Sequence, residues 1–550
     1  MNETLHHNTN RIPLESEIEN EANTPGIFGR IFRVAKIEIP KFVSLSIMFY
    51  FIALVFSLMK DLKDSVIIDK QGNAAIAPLK MFFVTPISIL AVLLIQKALT
   101  KYTTSQILFT VTLIFGSYFL IYGIFIIRWG WLIEPDKFWG CDKFGGGKMA
   151  VRKLEFLYSP MLTINAWTAS LLYVTSELWG NLVLTFLFLS YSNDVCPPRQ
   201  SLRFTPLYFI ISNIGLMTSG CFIYFMAEFR ETKSYAFNTW VMQSLFIFAG
   251  VSCFIILLIH RNLEKNILNK PLYIIEGAEK KKKAKANIGF MEGLKTMSYS
   301  KVLLSICGIV FFFNIGANMC DTCYKAAMQK YSAKANKQAS TVILKNAAKS
   351  QWMIGGIVIV FLITPLTRVI EKGFWTLIGI IPIVAVGGVG SLMLILAILN
   401  TSVDPKGKNI PFISSIVKGL GYNENVKYEV NVGWLGSALF KITKYAAFDI
   451  CKEAISVKIG SEYRAKAKGI FDGIVGKLGK TGSSILFTIL YAIYDTNDAR
   501  DASVPLLVIN GIGACLWITS VIYLGKKYNE AAFSNSEIDL DMKVEEKANK

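Results

Sequence analysis

Charged side chains inside long apolar stretches are the residues of this sequence whose chemistry stands out. Glu177 is the only charged residue of its stretch, and Lys444 lies in the middle of another. Lys63 and Asp321 are predicted to close two further stretches. A charge at the centre of a membrane helix costs about 2.5 to 3.5 kcal/mol on insertion scales, so such residues are candidates for function.

The four charges are spaced as two repeated halves would space them. Asp321 follows Lys63 by 258 positions, and Lys444 follows Glu177 by 267 positions. Because the offsets nearly agree and the signs are reversed, we expect the four side chains to face one another across a cavity between two halves. The alternative for Lys63 and Asp321 is that they lie at helix ends and reach into the lipid headgroups.

Other polar residues near these positions would give such a cavity a basic character. The secondary candidates are Lys325, Tyr445, Asp449, Lys477 and Lys480. A lysine is a compact charge suited to phosphate. An aromatic ring such as that of Tyr445 can stack on a planar base, although packing or contact with lipid is the alternative for the aromatic residues. The residues alone indicate a carrier of an organic anion, phosphorylated or not.

Motifs for catalysis or metal binding fail on their spacing. The segment from Gly473 to Thr481 mimics a phosphate-binding loop, but five residues rather than four separate its first glycine from Gly479 and Lys480, and no strand precedes it. Cys320 and Cys323 form a lone pair, and the chain has three histidines. We therefore predict no metal site, no cofactor and no enzymatic activity.

The elements that would position these charges are membrane helices. Hydrophobic residues make up 53 % of the 550 residues, charged residues make up 18 %, and the mean hydropathy is +0.44. A soluble chain carries about 25 % charged residues, and a helix needs roughly 20 apolar residues to cross a bilayer. The apolar stretches predict about twelve spans, at approximately 42–59, 79–97, 105–127, 162–191, 204–228, 239–259, 302–320, 351–369, 374–399, 431–455, 468–494 and 503–524.

The predicted spans divide into two halves around a basic segment. We expect an all-α polytopic membrane protein with two six-helix halves in a major-facilitator-like arrangement. The predicted divisions are an N-terminal tail at 1–41, bundles at 42–259 and 302–524, a linker at 260–301 and a C-terminal tail at 525–550. The linker carries ten Lys or Arg against four Glu, which places it and both tails in the cytoplasm.

Four segments, spread over both halves, resemble a known family. They read KFVSLSIMFYFIALVFSLMKDLKDSVII from Lys41, YVTSELWG from Tyr173, NMCDTCYK from Asn318 and KYAAFDICKE from Lys444. The chain resembles the ATP/ADP translocases of plastids and obligate intracellular parasites, and the lack of a plastid-type leader favours a microsporidian-like member. The critical charged positions of that family correspond to Lys63, Glu177, Asp321 and Lys444, with Asp321 in place of the usual Glu.

The resemblance implies exchange of external ATP for internal ADP by alternating access, which would import energy from a host. Lys444 and Lys63 would bind phosphate, Glu177 would hold Lys444 when the site is empty, and Lys63 would pair with Asp321 as an outer gate. The expected partners are ATP, ADP and the lipid bilayer, without nucleic acid. We expect a monomer in the plasma membrane of an intracellular parasite, with an organelle membrane as the alternative.

Two other functions stay open at this point. Proton-coupled import of several purine nucleotides would use Glu177 as the proton site. A non-transporting membrane scaffold or receptor would use the basic segment 260–301 to bind anionic lipid or a cytoplasmic partner.

Overall fold

The described part of the chain is a bundle of long helices. The structure, a computed structural model, describes residues 18, 21–22, 33–135, 158–231, 235–270, 300–363, 373–404, 411–459, 470–471, 475–534 and 536–541. Helices and short connections account for these ranges, which contain no β-sheet. Most of the predicted linker and of the N-terminal tail lies outside the described residues, as do residue 535, residues 542–550 and the basic connection after residue 459.

Six helices form the N-terminal half, and several of them are built from consecutive pieces. They are α1 (Ile39–Lys70), α2 (Ile76–Leu79, Lys80–Val84 and Thr85–Ala98), α3 (Thr104–Ile121, Tyr122–Ile126 and Ile127–Trp129), α4 (Tyr158–Asn165, Trp167–Leu178, Trp179–Leu187 and Phe188–Val195), α5 (Pro198–Glu231) and α6 (Tyr235–Asn262 and Leu263–Ile267).

Within the described residues, six long helices form the C-terminal half in the same manner, and a shorter helix, Pro411–Gly419, lies between the third and the fourth of them. The six long helices are α7 (Lys301–Lys334), α8 (Ala339–Ile363), α9 (Trp375–Ile383, Val384–Val389 and Gly390–Val403), α10 (Val426–Thr443, Lys444–Phe448 and Asp449–Lys458), α11 (Gly476–Tyr494) and α12 (Ser503–Phe533).

The predicted fold class is confirmed, and the exact count of twelve spans stays a prediction. Within the described ranges, ten helices are long and apolar enough to cross a membrane. The helices α10 and α11 are not among the ten. They lie at the tenth and eleventh predicted spans; α10 carries lysines along its length, and α11 carries two near its start.

Widened π-helical turns recur at matching places in the two halves. In α3 and α9 they begin at Tyr122 and Val384, and in α4 and α10 they begin at Trp179 and Lys444. The two offsets are 262 and 265 positions, close to those of the charged residues. A π-bulge is rare and is often found at functional sites. Its recurrence at equivalent helices supports two related halves.

The first and seventh helices continue past the charges that were predicted to close them. Helix α1 runs on to Lys70 and α7 to Lys334, so Lys63 and Asp321 both lie inside helices. Lys63 is only 3 % exposed, which rules out its extension into the headgroups. The predicted ends were wrong because the span edges were set by hydropathy, whereas here neighbouring helices and opposite charges cover the ionised side chains.

Polar contacts close the bundle at one end. We call the end where α1 begins and α12 ends the tail end, and the opposite end the loop end. Hydrogen bonds join the halves on the loop side. The backbone N–H of Asn73 donates to Gln329 Oε1 over 3.0 Å, and the backbone N–H of Ser340 donates to Asp69 Oδ1 over 2.9 Å. An ion pair between Lys345 and Glu228, 2.8 Å long, joins α8 to α5.

The halves are also in contact near the middle of the bundle. Asp61 of α1 accepts a hydrogen bond from Gln351 of α8, and the hydroxyls of Thr85 in α2 and Thr481 in α11 lie 3.1 Å apart. Every hydrogen bond and ion pair given above between the halves lies at this level or towards the loop end. The conformation is therefore closed at the loop end.

A short C-terminal segment packs back onto the tail end of the C-terminal half. The amide of Ile538 donates to the Lys458 carbonyl over 2.9 Å, and the Ser300 hydroxyl donates to the Leu540 carbonyl over 2.5 Å. Asp541 accepts from the Tyr523 hydroxyl and from the Lys527 ammonium. We call residues 536–541 the tail clip, because they connect α12 to the start of α7 and the end of α10.

Candidate functional site

An ionic network begins in the N-terminal half, between α1 and α4. The ammonium of Lys63 lies 2.9 Å from Glu177 Oε1 and 2.9 Å from Asp64 Oδ1. It also lies 3.8 Å from the centroid of the Tyr173 ring, within range of a cation–π interaction. The favourable contacts on three sides offset the cost of burying this ammonium.

The network crosses into the C-terminal half through one carboxylate. Lys325 Nζ of α7 lies 2.9 Å from Asp64 Oδ2 and 3.1 Å from Asp321 Oδ2. The Ser437 hydroxyl of α10 donates to the other oxygen of Asp321 over 3.1 Å. We call the resulting series of alternating charges the charge ladder; its members are Glu177, Lys63, Asp64, Lys325 and Asp321.

The predicted set of four charges is thus only partly brought together, and both predicted pairings were wrong. Glu177 pairs with Lys63 rather than with Lys444, and Asp321 pairs with Lys325 rather than with Lys63. The physical reason is proximity along the helices. Asp64 and Lys325 lie between Lys63 and Asp321, and Lys325 is one helical turn from Asp321.

The remaining member of the predicted set lies among other lysines on the tail side. Lys480 of α11 is within electrostatic reach of both Lys444 and Glu177, which belong to opposite halves, and it is nevertheless exposed. An exposed side chain between the halves implies an open, water-accessible gap there. The lysines that border it, called here the basic group, are Lys60, Lys441, Lys444, Lys477 and Lys480.

Two secondary candidates take different positions. Tyr445 is 44 % exposed, and its ring centroid lies 5.3 Å from Lys444 Nζ, so an aromatic face is available beside the basic group. Asp449 lies 3.3 Å from Lys452, three residues further along α10. Its carboxylate is therefore engaged locally, towards the tail end, and is not a member of the charge ladder.

Sequence reasoning missed Asp64 and Lys80 as site residues. Asp64 follows Lys63 directly and was interpreted as one more charge at a helix end. Lys80 lies at the edge of the second predicted span, where a lysine is expected to meet headgroups. The only sequence signal for Asp64 was its place in the Lys-Asp pair of the family-like motif, and Lys80 had none. The burial of both side chains depends on helices that are distant in sequence.

The arrangement favours binding of an anion over chemistry. Lysine ammonium groups are good ligands for phosphate oxygens, and the open gap gives access from the tail end. In the part of the chain that the structure describes, no group of three or more His, Cys, Asp or Glu side chains is placed to hold a metal ion.

Known proteins resemble this chain over nearly its whole length. The family model described as TLC ATP/ADP transporter matches residues 19–528. ADP,ATP carrier protein 1 of Paranosema grylli is 34 % identical over 533 residues, with 96 % of each chain covered. The protein of the same name from Encephalitozoon cuniculi is 36 % identical over 96 % of this chain and 94 % of its own, and that from Rickettsia prowazekii is 23 % identical over 92 % and 97 %.

Solved structures offer a more distant likeness. A crystal structure of the nucleoside transporter NupG aligns with a TM-score of 0.45 at 14 % identity, covering 88 % of this chain and 98 % of that one. The inward-open xylose transporter XylE from E. coli aligns with a TM-score of 0.46 at 13 % identity, covering 90 % and 100 %.

Proposed function

The chain belongs to the TLC ATP/ADP transporter family, and from that premise we propose that it exchanges ATP for ADP across a membrane by alternating access. The observation that carries the mechanism is the charge ladder. It joins the two halves through the pair of Asp64 and Lys325, while a lysine-lined gap stays open on the tail side. A carrier needs both features, a closed end and an accessible anion site.

Nucleotide binding begins at the basic group. The phosphates of ATP and ADP carry several negative charges, and ammonium groups that line a cavity attract them at long range. Lys444 and Lys480 approach the gap from α10 and α11, and Tyr445 offers a ring on which the base can stack. An anion bound at this level adds negative charge beside this group of lysines.

The carrier changes conformation when a phosphate competes with the acidic residues of the charge ladder for the lysines of the ladder. Lys325 is held by Asp64 from one half and by Asp321 from the other. A phosphate that draws Lys325 away weakens the only ladder contact that crosses between the halves. The loop-end contacts are then free to separate, and the gap closes at the tail end around the bound nucleotide.

Obligatory exchange follows from the charge of the empty carrier. Closing the tail end over several lysines without an anion would bury like charges at short range, which is strongly unfavourable. The empty form therefore stays open until a counter-substrate binds. The pairing of Glu177 with Lys63 supports exchange over proton coupling, because this carboxylate already has a cationic partner.

The membrane helices and the relatives support a proposal for the site of action. The chain is an integral membrane protein. Its relatives come from microsporidia and Rickettsia, which are parasites. We place it, as a monomer, in the plasma membrane of an intracellular parasite, where it would take up ATP in return for ADP.

Uptake of labelled ATP by the purified protein in lipid vesicles tests this function. Vesicles preloaded with ADP should take up ATP rapidly, and empty vesicles should take up little. Equal uptake by empty, non-energised vesicles would contradict exchange. Uptake that follows a pH gradient without internal ADP would instead favour proton-coupled import, and the absence of any thermal shift with nucleotides would favour a scaffold.

A further inference from the structure

Lys80 is a cation of the bundle interior that the mechanism above does not use. It begins the π-helical turn Lys80–Val84 of α2 and is half-buried. It lies within electrostatic reach of four ladder members, which are Lys325, Glu177, Lys63 and Asp64. No carboxylate of the described residues forms an ion pair with its ammonium, so no direct partner offsets the cost of placing this charge inside the bundle.

A small pocket with polar residues and three apolar ones, Ile76, Ala77 and Phe487, lies beside this lysine. Lys80 lines it together with Asn318 and Thr322 of α7 and with Ser483 and Ser484 of α11. An ammonium group combined with hydroxyl and amide donors is a suitable set of ligands for phosphate oxygens. The ligands come from both halves, since α2 belongs to the first and α7 and α11 to the second.

The pocket lies in the seam that is closed in this conformation. The contact between Thr85 and Thr481 holds α2 against α11 on its tail side, and the bond from Asn73 to Gln329 lies towards the loop end. When the loop end opens, α2 and α11 must separate. Lys80 and the serine hydroxyls then line the new cavity, on the side of the bundle opposite to the exposed lysines of the basic group.

We propose that Lys80 is the phosphate-capture residue of the loop side, which binds the terminal phosphate of a nucleotide entering from that end. The inference rests on the proposed exchange function and deepens it, because it gives the two faces of the carrier different phosphate sites. Ser483 and Asn318 complete the site from the C-terminal half. Contact of one phosphate with both halves would also help to draw the loop end shut.

The two faces should therefore respond differently to the loss of this charge. In the tail-open state Lys80 lies in the closed seam beside the charge ladder, on the loop side of the contact between Thr85 and Thr481, where a nucleotide from the tail side does not reach it. Lys80→Gln should raise KM for ATP presented at the loop end by about tenfold or more, as expected when a hydrogen bond to a charged group is lost. At the tail end KM should stay within about twofold of the unsubstituted value.

The test uses intact bacterial cells and inside-out vesicles prepared from the same cells, which present opposite faces of the full-length protein to labelled ATP. The orientation is established if added protease cleaves the C-terminal tail in the inside-out vesicles and does not cleave it in the intact cells. The matched control is Lys97→Gln, which removes an exposed lysine from the last turn of the same helix. It should leave KM unchanged on both faces.

Two further variants separate capture of phosphate from support of the fold. Lys80→Arg keeps the charge and should keep KM at the loop end within about threefold. Ser483→Ala changes no charge and should raise KM at the loop end alone, which keeps the test valid if Lys80→Gln does not accumulate.

Several results would overturn the proposal. If Lys80→Gln lowered kcat on both faces at constant KM, or raised KM equally on both faces, Lys80 would act through the electrostatics of the charge ladder and would not bind the incoming phosphate. An unchanged KM at the loop end would remove the capture role. In all of these cases the unsubstituted protein still exchanges nucleotides; if it does not, the proposed function itself fails.

Discussion

Asp64 is the residue on which the closed conformation depends most directly. Its two oxygens accept from lysines of different halves, Lys63 and Lys325, both at 2.9 Å. A carboxylate can hold two cations because each oxygen carries its own lone pairs, whereas an amide oxygen offers neither the charge nor the second acceptor atom.

Asp64→Asn should lower the rate of ATP/ADP exchange at least tenfold and lower the melting temperature. Removing one partner of a buried ionic network typically costs about 3 to 5 kcal/mol, because the remaining charges lose their compensation. Exchange in vesicles and thermal unfolding in detergent measure the two effects. Asp449→Asn, which affects only the local pair with Lys452, should change little. A normal rate for Asp64→Asn would contradict the ladder as the link between the halves.

Lys444 is the residue of the predicted set that lies with the basic group rather than the ladder. Lys444→Ala should raise KM for ATP at the tail end by about tenfold, since it removes a charge-assisted contact to phosphate, and should change the melting temperature by only a few degrees. Lys452→Ala, two turns further along α10, is the control. Unchanged tail-side KM in Lys444→Ala would remove this lysine from the site.

The sequence allowed the isolated charges to be predicted but not their partners. Glu177 stands out because no other charge shares its apolar stretch, and the cost of its burial demands a function. Lys80 and Asp64 lie next to predicted span edges, where a solvated position has no cost. Only the packing of α1, α2, α4 and α7 distinguishes the two situations, and hydropathy contains no information about that packing.

Helices α5 and α8 pack against each other across the two halves, and movement of the halves depends on this packing. Gly355 of α8 packs directly against α5: an added Cβ would overlap Met217 and lie 3.1 Å from the Asn213 carbonyl oxygen. Its neighbour Gly356 has no atom within 4 Å of the same position. The two glycines are adjacent and equal in helix propensity. Substitution of each by alanine therefore distinguishes an effect of packing at the interface from an effect of backbone flexibility.

Gly355→Ala should slow exchange severalfold, and Gly356→Ala should leave it unchanged or slightly faster. The added methyl group pushes α8 away from α5, and overpacking of this kind typically costs about 1 to 3 kcal/mol. Exchange rates and melting temperatures of the two variants provide the measurement. Equal effects of both substitutions would show that helix flexibility, not the interface, is what matters.

Helix pieces and π-turns illustrate what sequence patterns cannot provide. Apolar stretches indicated where spans lie, and the spacing of charges indicated two halves. The widened turns after Leu178 and at Lys444 follow from how the backbone accommodates neighbouring helices. Hydrophobic periodicity does not encode an extra residue in a turn, so the matching turns became visible only in the structure.

The whole molecule is closed at the loop end, and at the tail end the tail clip joins helices of the C-terminal half only. The hydrogen bonds that Asp541 accepts from the Tyr523 hydroxyl and the Lys527 ammonium lower the pKa of its carboxyl group. A lowered pKa means that the folded contact favours the ionised form. The stabilisation is complete above the ordinary pKa of aspartate, about 3.9, and is lost as the pH falls through the lowered value.

Acidification from pH 7 to below the lowered pKa of Asp541 should therefore release residues 536–541 from the tail end. Hydrogen exchange of the amides of Ile538 and neighbouring residues measures the release. Asp541→Asn should release the clip already at pH 7, whereas Glu537→Gln, at an exposed position within the same segment, should not. Full protection of the amides in Asp541→Asn would show that the hydrogen bonds and apolar packing of Ile538 and Leu540 hold the segment without the carboxylate.

The bond between Asp64 and Lys325 also has a consequence for the evolution of the protein. In a lineage that loses one of the two side chains, the other keeps a single ion-pair partner, Lys63 for Asp64 or Asp321 for Lys325. The link between the halves is lost, and a single substitution is therefore a poor intermediate. The two positions, which are distant along the chain and belong to different repeats, should be inherited together or replaced together. Descendants in which one has changed alone should carry a new counter-charge on a neighbouring helix.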